Sequence, residues 1–312
     1  MAVVFGNVTV GEDPIPGIVM KVLVTGCRGQ LGSKVVDLLG SDPSYTVEAT
    51  DRARLDVTRP EHSLQAAADF RPDWIVNCTA YTDVDRAESQ PEAAFRLNDL
   101  AVGFLADAAL SAGARLLHVS TDYVFSGEPT RGAPRPYTEE DPPGPLSTYG
   151  ASKLAGEERL RRHPVPSLVL RTSWLYGGPG RNFLHTMLRV GREALAAGRP
   201  VRVVCDQIGT PTDAWSLAAQ VRAVLECDLC GIVHASAHGT ASWYDFALEI
   251  FRLAELAVQV EPIGRDEYPS RARRPAYSAL ENRRLRAAGL DVMPEWRKGL
   301  EQAWKRLSAS QA

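Results

Sequence analysis

The chain has 312 residues, a formal net charge of −3 and a hydrophobic fraction of 45%. This length is enough for one large domain or two modest ones. The charge gives no sign of a nucleic-acid partner, and no apolar run approaches the roughly 20 residues that span a bilayer. The sequence therefore predicts a cytoplasmic globular protein that binds neither nucleic acid nor membrane.

The amino terminus and the cysteines exclude two further classes. The first 19 residues hold acidic and proline residues and no basic stretch, so we expect an N-terminal extension over 1–19 and not a signal peptide. The five cysteines are irregularly spaced, which argues against a disulfide framework. Cys227 and Cys230 form one C-x-x-C pair, but a structural zinc site needs four ligands and no second pair follows. Reduced thiols are expected.

Short apolar runs alternate with amphipathic stretches through the first half of the chain. Strands are predicted at 21–25, 45–50, 74–78, 115–120 and 167–171, with helices between them at 31–39, 60–70 and 91–112. Alternating strands and helices indicate a parallel sheet covered on both faces, because parallel strands need long crossovers. The predicted fold class is α/β with a doubly wound parallel sheet.

A glycine-rich turn joins the first strand to the first helix. Gly26, Gly29 and Gly32 follow a G-x-x-G-x-x-G spacing, which lets the backbone approach a pyrophosphate at the positive end of a helix. Glycines also make ordinary tight turns, so the interpretation depends on the position of this turn directly after a strand and before a helix. The turn predicts a Rossmann-type dinucleotide-binding domain.

The second half of the chain differs from the first in composition and pattern. Glycine, proline and arginine interrupt it, and helices are predicted at about 181–197, 213–226, 242–257 and 294–307. We expect a smaller substrate-binding lobe that is interleaved with the last strands of the sheet. The dinucleotide-binding domain would comprise 20–172 and about 199–235, and the lobe about 173–198 and 236–312.

Charged residues near the glycine turn bear on the choice of cofactor. Asp51 closes the second strand, where an acidic residue usually bonds the adenosine ribose and favours NAD. Arg52 follows it and, together with Arg28, could accept a 2′-phosphate. These signals point to opposite cofactors, so both NADPH and NADH stay open. Asp56 is a candidate for the adenine edge.

A tyrosine and a lysine four residues apart form the candidate catalytic pair. Tyr149 and Lys153 would lie on one helix face, about one turn apart, with Ser147 as the N-cap. A nearby ammonium favours the phenolate and lowers the tyrosine pKa from its usual value near 10. Such a tyrosine can pass a proton to a carbonyl oxygen as hydride reaches carbon. Y-x-x-x-K is common on solvated helices, and its place downstream of the glycine turn strengthens the interpretation.

Thr121 closes the strand at 115–120. Ligands of open parallel sheets bind at the carboxyl ends of strands, so a hydroxyl there could bond a substrate carbonyl. A strand-end cap is the structural alternative.

Several stretches together resemble the extended short-chain dehydrogenases and, within them, the dTDP-4-dehydrorhamnose reductase family. They are TGCRGQLG (25–32), VNCTAYTDVDRAE (76–88), STDYVF (120–125), YGASKLAGE (149–157), RTSWLYG (171–177), NFLHTMLR (182–189), DQIGTPT (206–212) and RRPAYSAL (273–280). The run RTSW followed by DQ-x-G-x-PT is more specific than the nucleotide motif. The resemblance covers nearly the whole chain from Met20.

The resemblance implies a role for each matching residue. Thr121, Tyr149 and Lys153 would form a catalytic triad in which Tyr149 donates the proton and Lys153 also holds the nicotinamide ribose. Asn98 would support the lysine through water. Further cofactor contacts are implied for Gly29, Gln30, Leu31, Asp51, Asp56, Val57, Ala80, Tyr81 and Thr82, beside Gly26, Arg28 and Arg52 of the turn region. Substrate contacts are implied for Thr82, Val84, Thr121, Asp122, Tyr149 and Trp174.

Two remaining features have both a structural and a functional interpretation. Trp174 could pack in the core or form a flat wall against a deoxysugar ring. Arg271, Arg273 and Arg274 could be a solvated loop, or Arg274 could bind the substrate diphosphate through bidentate bonds. Some bacterial members bridge their dimer with magnesium held by glutamates, and Lys34 stands where one of them is expected, so no metal is predicted.

The predicted function is that of a reductase for a nucleotide-linked sugar. Hydride from NAD(P)H would reach the C4 ketone of a dTDP-4-keto-6-deoxy-L-hexose, such as dTDP-4-dehydro-L-rhamnose, in dTDP-rhamnose or deoxysugar biosynthesis. Two alternatives stay open: a non-catalytic NADP-binding subunit like the one that regulates methionine adenosyltransferase, and a sugar-nucleotide epimerase. A homodimer is compatible with the resemblance, and the particular sugar stays open.

Overall fold

The computed structural model describes residues 19–127 and 135–309. Apart from Val19, the extension predicted over 1–19 lies outside the described residues. No helix within the described ranges is long and apolar enough to cross a membrane.

The strands of the described ranges form one central sheet and three small two-stranded sheets. In chain order they are β1 (Met20–Thr25), β2 (Tyr45–Thr50), β3 (Trp74–Asn77), β4 (Arg115–Thr121), β5 (Ser167–Thr172), β6 (Leu175–Tyr176), β7 (Val201–Val204), β8 (Ile208–Gly209), β9 (Thr212–Asp213), β10 (Gly231–His234), β11 (Ala241–Ser242) and β12 (Val260–Ile263). The central sheet has six parallel strands in the order β10-β5-β4-β3-β1-β2. The order reverses between β1 and β3, where such sheets open a ligand crevice at their carboxyl edge.

Helices cover both faces of the central sheet. They are α1 (Gln30–Gly40), α2 (Pro60–Phe70), α3 (Val84–Ala87), α4 (Pro91–Phe95), α5 (Ala101–Ala112), α6 (Thr148–Arg162), α7 (Phe183–Ala196), α8 (Ala214–Leu225), α9 (Trp243–Leu253), α10 (Arg283–Ala287) and α11 (Trp296–Ala309). Side chains alternate across a strand, so Val22, Val24 and Val76 pack toward α1 and α8. Leu23 and Ile75 pack toward α2 and α5. Burial on both faces explains the continuous apolar runs of these strands.

The structure confirms the predicted fold class, and most predicted elements differ by only a residue or two at their ends. The predicted helix at 91–112 is interrupted, because a five-residue π-helical turn, Arg96–Leu100, separates α4 from α5. The predicted helix at 242–257 ends early, at Leu253, and Glu255 beyond it has a left-handed φ of 52°.

The second half of the chain builds its own apolar cluster from α7, α9 and α11. Leu184, Phe246, Ile250 and Trp296 belong to it and are fully or almost fully buried. The stretch assigned to the dinucleotide-binding domain at about 199–235 is divided: β10 joins the central sheet, whereas β7 pairs with β12. The division into two domains stays a prediction.

Candidate active site

The glycine turn after β1 is packed too tightly for side chains. Gly26 has a φ of +71°, and a Cβ there would lie 3.0 Å from the backbone of Cys78 and Thr79. A Cβ at Gly32 would lie only 2.2 Å from the carbonyl oxygen of Gly26. Gly29 is the N-cap of α1, whose first turn carries no acidic side chain. The turn can therefore present a helix N-terminus to an anion without steric or charge opposition.

Gln30, the first residue of α1, touches the segment that follows β5. Its Nε2 donates to the carbonyl oxygen of Leu175 over 3.4 Å. A Cβ at Gly178 would lie 2.4 Å from the Gln30 Cα, so the two backbones are in direct contact. The Gln30 Oε1 is buried and has no hydrogen-bond partner among the described residues.

Two of the charged residues beside the turn, Arg28 and Asp51, are already paired with one another. Arg28 Nε lies 2.7 Å from Asp51 Oδ2, although the arginine side chain is 84% exposed. Arg52 is exposed. Asp56 accepts from the backbone N–H and hydroxyl of Thr58, and these bonds lower the pKa of its carboxyl. Asp51 would have to share its carboxylate between Arg28 and a ribose, whereas Arg28 and Arg52 stay accessible to a phosphate.

Helix α6 places the predicted tyrosine and lysine under the carboxyl end of β4. Ser147 caps this helix as predicted, since its Oγ accepts from Gly150 N over 3.2 Å. Gly150 lets the helix approach closely, because a Cβ there would lie 2.2 Å from the carbonyl oxygen of Tyr123. Tyr149 is buried, and Thr121 lies close enough for its hydroxyl to influence the Tyr149 pKa. The structure therefore brings Tyr149 and Thr121 together.

The expected lowering of the Tyr149 pKa is wrong for this structure. Burial raises the pKa of Tyr149 to about 12, and the nearby Thr121 hydroxyl opposes this only in part. The Lys153 amine is directed elsewhere: its Nζ lies 2.7 Å from the carbonyl oxygen of Val119 and 3.0 Å from His118 Nε2. Burial lowers the pKa of Lys153 to about 8. At neutral pH, Tyr149 therefore holds its proton.

Asn98 lies in the π-helical turn and ties the loop after β3 to α6. Its Oδ1 accepts from Tyr81 N over 2.8 Å, and its Nδ2 is within reach of Tyr81 O and of Ser152 Oγ. The loop that it holds contains Ala80 and Thr82, which the resemblance implied as cofactor contacts. Asn98 thus supports the neighbourhood of Lys153 through Ser152, one position before it on the helix.

Asp122, next to Thr121, is buried and accepts a hydrogen bond that the sequence did not predict. Ser278 Oγ donates to Asp122 Oδ2 over 2.5 Å, and Thr121 Oγ1 lies 3.1 Å from Asp122 Oδ1. Burial raises the pKa of Asp122 to about 7, although both hydroxyls oppose this. Ser278 lies in a stretch that marked the resemblance, but a lone serine gave no sign of this contact.

Trp174 is the outer member of an aromatic stack. Its ring lies parallel to that of Trp243, with centroids 3.5 Å apart, and Phe183 packs on Trp243 in turn. Trp174 has a left-handed φ of 46°. Gly209 lies against the indole, because a Cβ there would be 2.3 Å from the ring. The sequence did not single out Trp243, which lies at the start of a predicted helix.

Arg274 is paired with an acidic residue of α3. Its Nη2 lies 2.8 Å from Asp85 Oδ2, and its Nη1 lies 3.3 Å from Asp85 Oδ1. Asp85 follows Val84, one of the implied substrate contacts. A substrate diphosphate would therefore compete with Asp85 for this guanidinium.

The cysteines and possible metal ligands are scattered. All five cysteines lie in the described ranges and are free thiols. Those ranges contain no group of three or more histidine, cysteine or acidic side chains that could hold a metal ion. Lys34 pairs with Asp37 and lies over the ring of Trp215. The absence of a bound metal stays a prediction.

Comparison with known proteins places this site in a family. A family model described as the RmlD substrate binding domain matches residues 20–309. A dTDP-4-dehydrorhamnose reductase of Escherichia coli is 36% identical over 94% of this chain and 100% of its own length. The chain belongs to the dTDP-4-dehydrorhamnose reductase family. The resemblance seen in the sequence is thereby confirmed.

Two other members of the family are informative. A Streptomyces antibioticus protein, named a probable dTDP-4,6-dihydroxy-2-methyloxan-3-one 4-ketoreductase, is 40% identical over 94% of this chain and 97% of its own. A Bacillus anthracis dTDP-4-dehydrorhamnose reductase, solved in complex with NADP, superposes with a TM-score of 0.87. It is 37% identical, and the match covers 92% of this chain and 99% of that one. Family membership thus spans more than one named ketosugar.

Proposed function

We propose that the protein is an NADPH-dependent reductase for the C4 ketone of a dTDP-4-keto-6-deoxy-L-hexose, such as dTDP-4-dehydro-L-rhamnose. The observation that carries this proposal is that Tyr149 and Thr121 lie together at the carboxyl edge of the sheet, with Lys153 one helical turn further on. The names of the relatives favour a reductase over a regulatory subunit or an epimerase.

The residues around the glycine turn fit a dinucleotide. The tight turn can form only because Gly26 and Gly32 lack side chains, and the unpartnered Gln30 Oε1 can accept a hydrogen bond. Arg28 and Arg52 can bind a 2′-phosphate, which favours NADPH, and a relative solved with NADP agrees with this choice. When bound, the cofactor supplies the hydride. The proposed contacts are Gly26, Arg28, Gly29, Gln30, Leu31, Asp51, Arg52, Asp56, Val57, Ala80, Tyr81, Thr82, Asn98, Tyr149 and Lys153.

Tyr149 is suited to act as the general acid. Its raised pKa keeps the phenol protonated at neutral pH, so it can donate to the ketone oxygen as that oxygen gains charge. Thr121 would hold the same oxygen, and Asp122 orients the Thr121 hydroxyl. Lys153 would stabilise the phenolate that remains after the proton has left. Most of the acceleration would come from holding the sugar carbon in place for hydride.

The remaining contacts would recognise the nucleotide sugar. Trp174, supported by Trp243, offers a flat apolar wall to the deoxysugar. Thr82, Val84 and Arg274 would border the rest of the substrate, with Arg274 at the diphosphate. A homodimer and a cytoplasmic location stay predictions.

The deciding experiment incubates the protein with NADPH and a panel of dTDP-4-keto sugars. We expect loss of NADPH absorbance with one or more sugars, and NMR should identify the C4 alcohol. Cofactor binding without oxidation of any sugar would favour the regulatory subunit. Epimerised sugar with no net loss of NADPH would favour the epimerase.

Replacing Tyr149 with phenylalanine tests the proton donor. We expect kcat to fall by about 10²–10⁴-fold, because the general acid is removed while the ring packing stays. NADPH affinity, measured by fluorescence titration, should change little. Tyr268→Phe, at an exposed tyrosine, is the matched control and should keep full activity. Full activity of Tyr149→Phe would refute the assignment.

A further inference from the structure

A chain of buried polar side chains leads from β1 to Lys153 beneath the candidate active site. Thr25, Asn77, His118 and Lys153 are each at most 2% exposed. Asn77 Nδ2 lies 3.0 Å from His118 Nδ1, and His118 Nε2 lies 3.0 Å from Lys153 Nζ. The proposed reaction uses Lys153 but gives the other three residues no role.

The backbone N–H of Thr79 fixes the direction of this hydrogen-bond chain. It donates to Asn77 Oδ1 over 3.0 Å, and the hydroxyl of Thr25 donates to the same oxygen over 2.8 Å. A backbone N–H can only donate, so the atom of Asn77 that faces it must be the amide oxygen. The amide nitrogen of Asn77 therefore faces His118 and donates to its Nδ1.

This direction determines where His118 carries its proton. Because Nδ1 accepts a hydrogen bond, it is unprotonated, which excludes both the imidazolium and the Nδ1–H tautomer. Burial also holds the pKa of His118 well below its ordinary value. The single ring proton is therefore on Nε2, and the Nε2–H points at the Nζ of Lys153.

An N–H that points at a lysine discriminates between the two forms of that lysine. An ammonium has three donors and no lone pair, so it would face His118 as donor against donor. A neutral amine accepts from Nε2–H with its lone pair and still donates to the carbonyl oxygen of Val119, 2.7 Å away. The observed contacts of Lys153 satisfy the amine and leave the ammonium in conflict.

We propose that His118 is a positioning residue that favours the neutral amine of Lys153 over its ammonium in the protein without cofactor. The proposal rests on the proposed function only in that Lys153 serves the reduction. Glu157 on the same helix and Cys78 after β3 are the other titratable groups whose charge acts on the amine, and both favour its charged form.

The electrostatic surroundings agree with this assignment. Burial outweighs Glu157 and Cys78 and lowers the pKa of Lys153 to about 8. Burial raises the pKa of Tyr149 to about 12, and Lys153 does not offset this rise. Above about pH 8 the pair is therefore buried without charge, and Lys153 must leave His118 as it gains the proton with which it can stabilise a phenolate.

NMR of the protein without added cofactor tests the proposal directly. The ¹⁵N shifts of the His118 ring report its tautomer, and we expect Nε2–H at about pH 9, where an ordinary lysine with a pKa near 10.4 is charged. The chain has five lysines, so ¹³Cε-labelled lysine gives a small set of resonances, assigned by Lys→Arg substitution. The Lys153 resonance should titrate near pH 8.

Asn77→Asp should reverse the direction of the chain. A carboxylate at this position still accepts from Thr79 and Thr25 but accepts from His118 as well, which moves the ring proton to Nδ1 and frees Nε2 for an ammonium. We expect the Lys153 titration to rise by at least ~1 pH unit. His234→Gln is the matched control, because His234 is equally buried in the same sheet and bonds to Tyr137 instead.

Two results would overturn the proposal. One is an Nδ1–H tautomer of His118 at about pH 9 in the unchanged protein, a measurement that decides even if Asn77→Asp does not fold. The other is a Lys153 titration that Asn77→Asp leaves in place, or that His234→Gln moves as much. Neither measurement uses substrate, so failure here is separate from failure of the reductase assay.

Discussion

Single side chains hold the catalytic helix to the sheet through a buried ion pair. Arg171 Nη2 at the end of β5 lies 2.6 Å from Glu157 Oε2 on α6, and both side chains are at most 2% exposed. Ser120 also donates to Glu157. A buried charge that loses its partner is costly, so this pair is sensitive to removal of either member.

Replacing Glu157 with glutamine should therefore destabilise the protein strongly. The free energy of unfolding should fall by about 3–5 kcal/mol, because Arg171 keeps its charge without a carboxylate. Urea denaturation followed by circular dichroism measures this. Glu158→Gln is the neighbouring control: Glu158 pairs with Arg161 and Arg162 on the surface, where such pairs contribute about 0–1 kcal/mol. Equal losses in the two variants would contradict the argument.

At the residue scale, the sequence predicts which residues belong to the site better than it predicts which residues they contact. Tyr149, Lys153 and Thr121 could be selected because helix spacing and the end of a strand are local properties. The contact of Lys153 with His118 could not, since it joins residues 35 positions apart on different elements. Trp243 was missed for the same reason, because its stacking on Trp174 depends on how α9 docks.

Among the elements, the break between α4 and α5 depends on one glycine of another helix. Asn98 lies in the π-helical turn, and its carbonyl oxygen would be 2.2 Å from a Cβ at Gly156 of α6. The sequence predicted a continuous helix over 91–112, since no proline or glycine interrupts 96–100. Tertiary packing, which a periodicity argument does not include, decides the shape here.

A pair of glycine-to-alanine substitutions tests this packing. Gly156→Ala should lower stability by about 1–3 kcal/mol, because the methyl group overlaps the Asn98 carbonyl. Gly40→Ala, at the exposed end of α1 with nothing within 4 Å of the added Cβ, should raise stability by about 0.5–1 kcal/mol. Thermal melts of both variants give the signs. A neutral or stabilising Gly156→Ala would show that the two helices can separate freely.

At the scale of the whole molecule, the buried groups His234, His118 and Asp122 of the described ranges contribute to the dependence of stability on pH. Burial lowers the pKa of His234 from 6.5 to about 3 and that of His118 well below 6.5, so below pH 6.5 the unfolded chain binds two protons that the folded chain does not. Burial raises the pKa of Asp122 from 3.8 to about 7, so the folded chain binds one proton that the unfolded chain lacks. On balance, the unfolded chain therefore binds one proton more than the folded chain.

Stability should therefore rise with pH between about pH 4.5 and 6, by about 1.4 kcal/mol per pH unit. His234→Gln should flatten this dependence, because the two remaining groups then cancel. Asp122→Asn should make it about twice as steep. Urea midpoints across the pH range measure the slope, and a slope that neither substitution alters would show that other groups control it.

The overall architecture was the most predictable level. Alternating strands and helices require parallel crossovers, and the glycine turn placed the cofactor end of the sheet, so the α/β class followed from local patterns. The pairing of β7 with β12 did not follow, because a four-residue strand carries no information about its partner.

The contact between Gly178 and Gln30 links the two halves of the molecule backbone to backbone. A chimera that joins this sheet to the lobe of another family member should keep a working cofactor pocket only if the incoming lobe has glycine at position 178. Any larger residue would clash with the first turn of α1, so an exchange of lobes at this boundary requires a residue without a side chain at position 178.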